Sequence, residues 1–547
     1  MLPLAVALAA GAPSAPPNIL LFFPDEFRYD WGPLGYYDST DLPLVTPHFN
    51  QLAAEGVRFT RAFVGAPVCA PSRACLASGR QYDQNTVPEN FHNDFDPSVV
   101  TFYKVLRDGA GYHTMVTGRD DLDKSSGGPG DDGWKHTTEL GFSDQERCDG
   151  STDVTRGGVP HEPFGLWLKS QPVTNATIAK EYNVTDLFEL QAKRFSELGH
   201  RRPSDPYGSY AIPDPMPLPD AAYQDNWIGS QAIALLKRRP LDKPFFLLAS
   251  HQAPHPPMDI TRSMMESNNL RGRDFPEPVM NDNPVSVEVR MGRQNYAAKI
   301  ERLDYWLGQY KALLTEQGVL NNTVICLCSD HGEMLFDRDA TAKSKPWSSA
   351  SSVPLVCSGP GIGKGLTNDH TVSTIDLAPT FLDFAGVLDK APPNMSQNSL
   401  KGVLAATTLE PPRKVVHFGL DNFRGVAETI NATHTLKFFC CNRQGSQSVR
   451  GCPGSTAADA QGFAEGEDEV TAVPIPVATS CARWLHPFSD ITRADSPPVV
   501  PPLQHHCRSI RAAALGSAQG VSRACGTLRR HAPHQTRHPC QSKQLDP

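Results

Sequence analysis

Short apolar runs alternate with helical segments from about residue 18 to residue 387, and this alternation constrains the fold most strongly. Residues 18–23 (Asn-Ile-Leu-Leu-Phe-Phe) have the composition of a buried strand, and residues 323–328 predict another. Between them, residues 227–239 have a pattern that is typical of a helix. Repeated strand–helix units of this kind predict an α/β fold, in which helices cover both faces of a large, mostly parallel sheet.

The same criteria predict further elements along this region. Strands are expected at residues 57–64, 113–117 and 245–249, and helices at residues 72–77 and 100–107. Another helix is expected to begin at Thr46-Pro47 and to end at Gly56, since proline suits a first turn and glycine a last one. Apolar residues recur at helical spacing at Ile300, Leu303, Leu307, Tyr310 and Leu314.

Polar residues with metal-ligating or acid–base chemistry follow three of the predicted strands. They are Asp25-Glu26, the segment from His251 to His255, and Asp330-His331. Ligands bind at the carboxyl ends of strands in open parallel sheets, so these residues are expected to share one site. Carboxylates at this edge suit Ca²⁺ or Mg²⁺, which prefer oxygen ligands. Taken alone, each acidic pair could equally be a solvated loop or a helix cap, and His251 a structural polar residue.

A local motif surrounds Cys69, in the run Cys69-Ala-Pro-Ser-Arg73, followed by Gly79-Arg80. Pro71 suits a first helical turn, which places Cys69 just before a helix N-terminus, where free N–H groups favour anions. The Arg73 guanidinium is expected to reach a sulfate or a hydrated aldehyde. The alternative is that Cys69 and Cys75 are two ordinary buried thiols.

The motif resembles the signature of the type I sulfatases, Cys-x-Pro-Ser-Arg followed by Gly-Arg. The resemblance covers roughly residues 17–390. It implies an alkaline-phosphatase-like fold, with a large mostly parallel sheet and a smaller, incomplete C-terminal α+β domain. It also implies that a formylglycine-generating enzyme converts Cys69 into Cα-formylglycine (3-oxoalanine), the nucleophile precursor.

The same resemblance implies a metal site formed by Asp25, Glu26, Asp330, His331 and Cys69. The expected ion is Ca²⁺, with Mg²⁺ as the alternative. Glu26 stands where the family usually has aspartate, so its part as a ligand is left open. The Asp-His pair is like that of the iduronate-sulfatase branch.

Catalytic and substrate-binding roles follow from the resemblance as well. Cys69, Arg73, His255 and Lys343 are expected to be catalytic, and His255 and Lys343 also to bind substrate. Arg119 is expected to bind substrate where many sulfatases have lysine. Its neighbour Asp121 replaces a histidine and would repel an anion unless a cation such as Lys124 neutralises it.

The implied reaction is hydrolysis of an O-sulfate ester, or less often an N-sulfate, of a small molecule or polysaccharide. One hydroxyl of the hydrated aldehyde attacks sulfur, and His255 or Lys343 protonates the leaving oxygen. The second hydroxyl then expels sulfate. Two other readings stay open: a phosphodiester or phosphonate hydrolase with the same fold, and a non-catalytic protein that binds sulfated glycans.

Charge and hydropathy limit the partners and the compartment. A net charge of −8 argues against a nucleic-acid-binding protein. No apolar run reaches the roughly 18 residues that a membrane span needs. Residues 1–16 resemble a signal peptide, which predicts a secreted, lysosomal or endomembrane-lumen glycoprotein. Five glycosylation sequons agree, at Asn175, Asn183, Asn321, Asn394 and Asn431.

The expected domain organisation has three parts after the signal peptide. Residues 17–400 form the catalytic domain, and residues 401–450 a partial C-terminal subdomain. Residues 451–547 are expected to be an irregular or disordered tail, or an artefact of the gene model, because residues 496–545 contain no Asp or Glu and little apolar periodicity. Seven of the thirteen cysteines lie between Cys440 and Cys540.

Overall fold

A computed structural model describes most of the chain up to residue 441. The described residues are 16–32, 42–90, 94–122, 134–148, 160, 162–199, 208–408, 410–420, 423–429, 435–441, 461–465 and 470–474. The predicted signal peptide and most of the predicted tail therefore lie outside them. The chain divides into two compact units, residues 1–452 with 465–469, and residues 453–464 with 470–547.

The strands follow the predicted order. They are β1 (Asn18–Phe22), β2 (Gly56–Phe63), β3 (His113–Gly118), β4 (Asp144–Arg147), β5 (Phe245–Ser250), β6 (Thr323–Leu327), β7 (Ser352–Ser358), β8 (Leu366–Ser373), β9 (Val415–Leu420), β10 (Phe423–Thr429), β11 (Thr435–Cys441), β12 (Gln461–Glu465) and β13 (Val470–Pro474).

The helices lie between these strands. They are α1 (Pro47–Ala54), α2 (Cys69–Ser78), α3 (Phe102–Lys104), α4 (Trp134–Leu140), α5 (Pro163–Ser170), α6 (Ala176–Tyr182), α7 (Leu187–Gly199), α8 (Gln224–Arg238), α9 (Arg262–Glu266), α10 (Val287–Glu316), α11 (Ser348–Ser351), α12 (Leu377–Phe384) and α13 (Lys401–Leu404). A π-helical turn at Val105–Gly109 continues α3. In the described part of the chain, no helix is both long and apolar enough to cross a membrane.

The first unit is built around an eight-stranded sheet with the strand order β4-β3-β5-β1-β6-β7-β2-β8. β7 pairs antiparallel with both of its neighbours, whereas the other pairings in this sheet are parallel. The prediction of a mostly parallel sheet is confirmed, with β7 as the exception. A disulfide between Cys326 and Cys357 joins β6 to β7.

Helices cover both faces of this sheet because alternate residues of its strands point to opposite sides. On β1, Ile19 and Leu21 pack into one apolar cluster with residues of α2 and α12, whereas Leu20 and Phe22 pack into a second cluster with residues of α1 and α10. Each such side chain stabilises the fold by about 1.5–3 kcal/mol when it is fully buried. The five periodic apolar residues of α10 are all buried, as their spacing predicts.

A smaller antiparallel sheet of β9, β10 and β11 lies in the predicted C-terminal subdomain. It packs against the end of β2, where the rings of Phe63 and Phe418 stack with their centroids 5.9 Å apart. The Gly419 amide donates to the Gly65 carbonyl, which ties this sheet to the segment before α2. In the second unit, β12 and β13 form a two-stranded sheet.

Candidate functional site

The carboxyl ends of β1 and β6 meet the N-terminus of α2 at one buried point. Asp25 follows β1, Asp330 and His331 follow β6, and Cys69 is the first residue of α2; all four are 0% exposed. The Cys69 Sγ atom lies 3.2 Å from His331 Nε2 and 3.9 Å from Asp25 Oδ1. The structure thus brings together the residues that the strand-end pattern and the cysteine motif single out separately.

Helix α2 begins at Cys69, one turn earlier than residues 72–77 predict. Val68 is its N-cap, and Gly79 ends it with a φ of 63°, a conformation that glycine adopts without a steric penalty. Cys69 is therefore inside the first turn instead of just before it. One of the early N–H groups, that of Ala70, donates to Asn90 Oδ1.

Arg73 lies one turn further along α2 and is bonded to the carboxylates of the site. Its guanidinium donates to Asp330 Oδ2 at 2.9 Å and to Asp25 Oδ2 at 3.2 Å. It also donates to Ser250 Oγ and to the Arg119 carbonyl, both at 2.7 Å. Because these partners follow β6, β1, β5 and β3, Arg73 holds four strand ends together.

A second group of charged side chains lies beside this cluster. The carboxylate of Glu26, which is 0% exposed, accepts from Lys343 Nζ at 2.9 Å and lies 3.4 Å from His255 Nε2. Burial raises the pKa of Glu26 to about 7, although Lys343 acts to lower it. Burial alone would lower the pKa of Lys343, but the neighbouring Cys69, Glu26 and Asp25 hold it well above the ordinary value.

The pKa values of the central residues show how strongly the charges interact. Burial alone would raise the pKa of Asp25, but the neighbouring His255, Lys343 and Arg73 outweigh it and hold the pKa well below the ordinary value. Burial alone would lower the pKa of His331, but Asp330 and Cys69 raise it to about 10.

The donor set around Cys69 fits a divalent cation. Oxygen atoms of Asp25 and Asp330, Nε2 of His331 and Sγ of Cys69 all lie within 4.8 Å of one another. Two carboxylates and one imidazole are hard or borderline ligands. His331 Nδ1 lies 2.9 Å from the Gly332 carbonyl, a contact that orients the ring so that Nε2 faces the cluster. A second group of possible ligands combines Asp25 with Glu26 and His255.

The segment that carries His255 is fixed by a residue that the sequence reading missed. Lys299, on α10, is 2% exposed and donates to the carbonyl oxygens of His255 and Pro257, both at 2.8 Å. It also lies 3.4 Å from Asp259 Oδ1. No sequence motif marks Lys299, because its acceptors are backbone carbonyls of a distant loop.

His251 belongs to a buried hydrogen-bonded group and not to the metal cluster. Its Nδ1 lies 3.2 Å from Asp225 Oδ1, and its Nε2 lies 2.9 Å from the Tyr310 hydroxyl. The Ala253 amide donates to the same Asp225 oxygen. This arrangement agrees with the expectation that His251 is a structural polar residue at a strand end.

Arg119 and Asp121 form an ion pair at the edge of the site. The Arg119 guanidinium bonds Asp121 Oδ1 and donates to Gln252 Oε1 at 3.2 Å. Asp121 Oδ2 also lies 3.7 Å from Arg73 Nε. Two arginines therefore neutralise Asp121, and Lys124, which was considered for that role, lies outside the described residues.

Comparisons with known proteins agree with this geometry. The family model described as Sulfatase matches residues 17–387. An arylsulfatase of Clostridium perfringens is 25% identical over 420 residues, which cover 71% of this chain and 78% of that protein. Arylsulfatase K of Bos taurus is 28% identical over 430 residues, 72% of this chain and 69% of that protein.

Among solved structures, the phosphonate monoester hydrolase of Silicibacter pomeroyi matches with a TM-score of 0.57. The match has 17% sequence identity and covers 85% of this chain and 89% of that chain. At this identity the likeness concerns the fold, which is the predicted alkaline-phosphatase-like one.

Proposed function

Because the chain belongs to the sulfatase family, we propose that it hydrolyses a sulfate ester at the site around Cys69. The observation that carries this proposal is the position of the Cys69 side chain. Its Sγ lies among Asp25, Asp330 and His331, at the start of a helix, in the sequence context of the formylglycine motif. The names of the relatives support the same reaction, since one is an arylsulfatase and another arylsulfatase K.

The proposed cofactors are a divalent cation and formylglycine at position 69. Asp25, Asp330 and His331 would hold the ion, with the modified residue 69 beside them, and we propose Ca²⁺ with Mg²⁺ as the alternative. When bound, these groups supply a polarised sulfuryl oxygen and an oxygen nucleophile of lowered pKa. In the cysteine form, the Sγ atom occupies the place of that oxygen.

The remaining residues of the chain orient the reacting groups and move a proton. Arg73 bonds Asp25 and Asp330 to helix α2. Because Cys69 is on the same helix, the distance between the nucleophile and the two carboxylates is fixed. The side chains of His255 and Lys343 are 20% and 14% exposed, and so border the side that a substrate can reach. We propose that one of them protonates the leaving oxygen and that both bind the sulfate group.

We propose that Arg119 also contacts the substrate, although Asp121 already pairs with it. Its ion pair with Asp121 offsets part of its charge, so a sulfate would gain less from it than from an unpaired lysine. The narrower likeness to iduronate sulfatases stays a prediction, as does the choice between a small sulfated molecule and a polysaccharide.

We also propose an oxidising compartment, either secreted or in the endomembrane or lysosomal lumen. The Cys326–Cys357 disulfide supports it, because such bonds persist in that environment. So do the exposed sequon asparagines Asn175, Asn183, Asn321 and Asn394. Residues 17–400 are the proposed catalytic domain and residues 401–450 a partial subdomain that includes the small antiparallel sheet, while a signal peptide at 1–16 and an irregular tail at 451–547 remain proposals.

Turnover of an aryl sulfate by protein made together with a formylglycine-generating enzyme tests the proposal. Mass spectrometry of the peptide with residue 69 should show formylglycine, and a Cys69→Ala variant should have no activity. Cys75→Ala, which removes the other buried thiol of α2, is the matched control and should keep both the modification and the turnover.

Three outcomes would count against the proposal. Full activity with an unmodified thiol would exclude the formylglycine mechanism. Preference for an aryl phosphodiester or phosphonate over the aryl sulfate would favour the phosphohydrolase reading. Modified protein that binds sulfated glycans without turnover of any tested sulfate ester would support the non-catalytic reading.

A further inference from the structure

Glu26 has a backbone that is fixed from both sides. Its φ of +68° is uncommon for a residue other than glycine. Its N–H donates to Asp330 Oδ1 at 3.0 Å, and its carbonyl accepts from the Tyr296 hydroxyl at 2.7 Å. Two buried bonds therefore impose this conformation, and they set the direction in which the Glu26 side chain leaves the backbone.

That direction separates Glu26 from its neighbour Asp25. Among the described residues, the carboxylate of Asp25 belongs to the four-residue group around Cys69, whereas Glu26 belongs only to the second group of possible ligands, with Asp25 and His255. The Glu26 carboxylate instead lies against Lys343 and His255, at 2.9 Å and 3.4 Å. The ammonium group of Lys343 is thus the cation that this carboxylate contacts.

Lys343 and His255 reach Glu26 from separate parts of the chain. His255 lies in the loop after β5, and Lys343 in the loop between β6 and α11. A lysine side chain has four rotatable bonds and keeps one position only when a partner holds it. Among the described ion pairs, Lys343 pairs with Glu26 and with no other carboxylate. The Glu26 carboxylate also lies within 4 Å of His255.

We infer that Glu26 is a positioning residue that holds Lys343 and His255 against the substrate, and not a ligand of the metal ion. This inference rests on the proposed sulfate-ester hydrolysis. It also accounts for glutamate at a position where the family usually has aspartate. With the backbone fixed, an aspartate is one methylene shorter and leaves the Lys343 ammonium out of hydrogen-bonding distance.

Two variants at position 26 and one control separate positioning from ligation. Glu26→Asp keeps the charge and shortens the reach, whereas Glu26→Gln keeps the length and removes the charge. The control is Glu301→Gln, which removes another carboxylate of low exposure. Glu301 lies on α10, pairs with Arg273 and is outside both ligand groups. Formylglycine content is measured in each protein, so that kcat refers to modified enzyme.

Of the two Glu26 variants, Glu26→Asp keeps the charge and should bind Ca²⁺ in a calorimetric titration with the affinity of the wild type. The kcat of both variants for an aryl sulfate should fall about 10- to 100-fold, as is usual when a partner that orients a functional residue is lost. Combining Glu26→Gln with Lys343→Met should lower kcat by less than the product of the two single effects, because part of the Glu26 effect acts through Lys343. The Glu301→Gln control should change neither the Ca²⁺ affinity nor kcat.

Crystal structures of the wild type and of Glu26→Asp give a readout that needs no activity. Lys343 Nζ should contact Glu26 in the wild type and leave that position in the variant, while Asp25, Asp330 and His331 stay in place. Weaker Ca²⁺ binding by Glu26→Asp, an unchanged kcat in the same variant, or an unmoved Lys343 would each overturn the inference. A wild type without sulfate turnover refutes the proposed function instead, and the titration and the two structures still decide the role of Glu26.

Discussion

A Gly118→Ala substitution tests how closely two strands approach each other at the site. Gly118 ends β3 with a φ of +79°, and a Cβ atom there would lie 1.8 Å from the Ser250 carbonyl oxygen on β5. That carbonyl already accepts a hydrogen bond from the Arg119 amide. Both strand ends also bond Arg73, through the Ser250 hydroxyl and the Arg119 carbonyl.

Two costs add in this variant. A residue with a Cβ atom in the left-handed region costs about 1–2 kcal/mol. Ordinary contact begins near 3.4 Å, so the new methyl group overlaps backbone that no side-chain rotation can move aside. Overpacking of this kind costs about 1–3 kcal/mol more. The variant should therefore lose about 2–5 kcal/mol of unfolding free energy in all.

Gly111→Ala is the matched control for the backbone cost. Gly111 has a φ of +72°, and its added Cβ would meet no atom within 4 Å, so only the left-handed penalty applies. Urea unfolding followed by tryptophan fluorescence should give a clearly lower midpoint for Gly118→Ala than for Gly111→Ala. The kcat of modified enzyme should also fall in Gly118→Ala alone. Equal midpoints in the two variants would refute the close strand approach that this reasoning needs.

Three other outcomes are expected. In the cysteine form, Asp330 and Cys69 raise the pKa of His331 to about 10, so Ca²⁺ must displace a proton there and its affinity for this form should rise about tenfold per pH unit below that value. Calorimetry of the cysteine form in two buffers measures the released proton, and a pH-independent affinity would contradict the assignment. Lys299→Met leaves the His255 carbonyl without its buried donor and should lower the free energy of unfolding, measured with urea, by about 1–3 kcal/mol, together with a lower kcat. A loss of kcat without any loss of stability would argue against this account. Replacing Cys326 and Cys357 by alanine removes a crosslink with a sequence separation of 31 and should lower the free energy of unfolding by about 3–4 kcal/mol. A thiol assay of the unreduced wild type checks the premise, since neither of these two cysteines should react.

The arrangement of the candidate site followed from sequence because neighbouring parallel strands end at the same edge. β5, β1 and β6 are adjacent in the sheet, so the residues after them meet in space. Asp25, Asp330 and His331 could therefore be placed together from their positions after apolar runs. The local motif then added Cys69, at the start of the helix that packs against this edge.

The partners of individual side chains could not be read in the same way. Arg73 is expected to reach a sulfate or a hydrated aldehyde, which stays a prediction, but its bonds to Asp330 and Asp25 did not follow from the sequence. An arginine can reach any acceptor within its length, and the sequence does not rank these acceptors. Lys299 looked like an ordinary polar residue of a helix, since its acceptors are carbonyls of a loop whose path only the fold defines.

Strand direction was the feature of the sheet that the pattern could not supply. The residues of β7 do not indicate its direction, because a strand buried on both faces reads alike in either direction. Nor does the cysteine count reveal that Cys326 and Cys357 are opposite each other on adjacent strands. These pairings depend on the order in which distant segments enter the sheet.

The complete burial of Cys69 has a consequence for the order of events in biosynthesis. A modifying enzyme has to grip the motif as an accessible peptide, yet in the folded chain the whole of α2 is buried. The proposed conversion must then be finished while this segment is still unfolded. The fraction of active protein then depends on the rate of modification relative to the rate of folding. Variants or temperatures that slow folding should therefore yield more formylglycine per molecule.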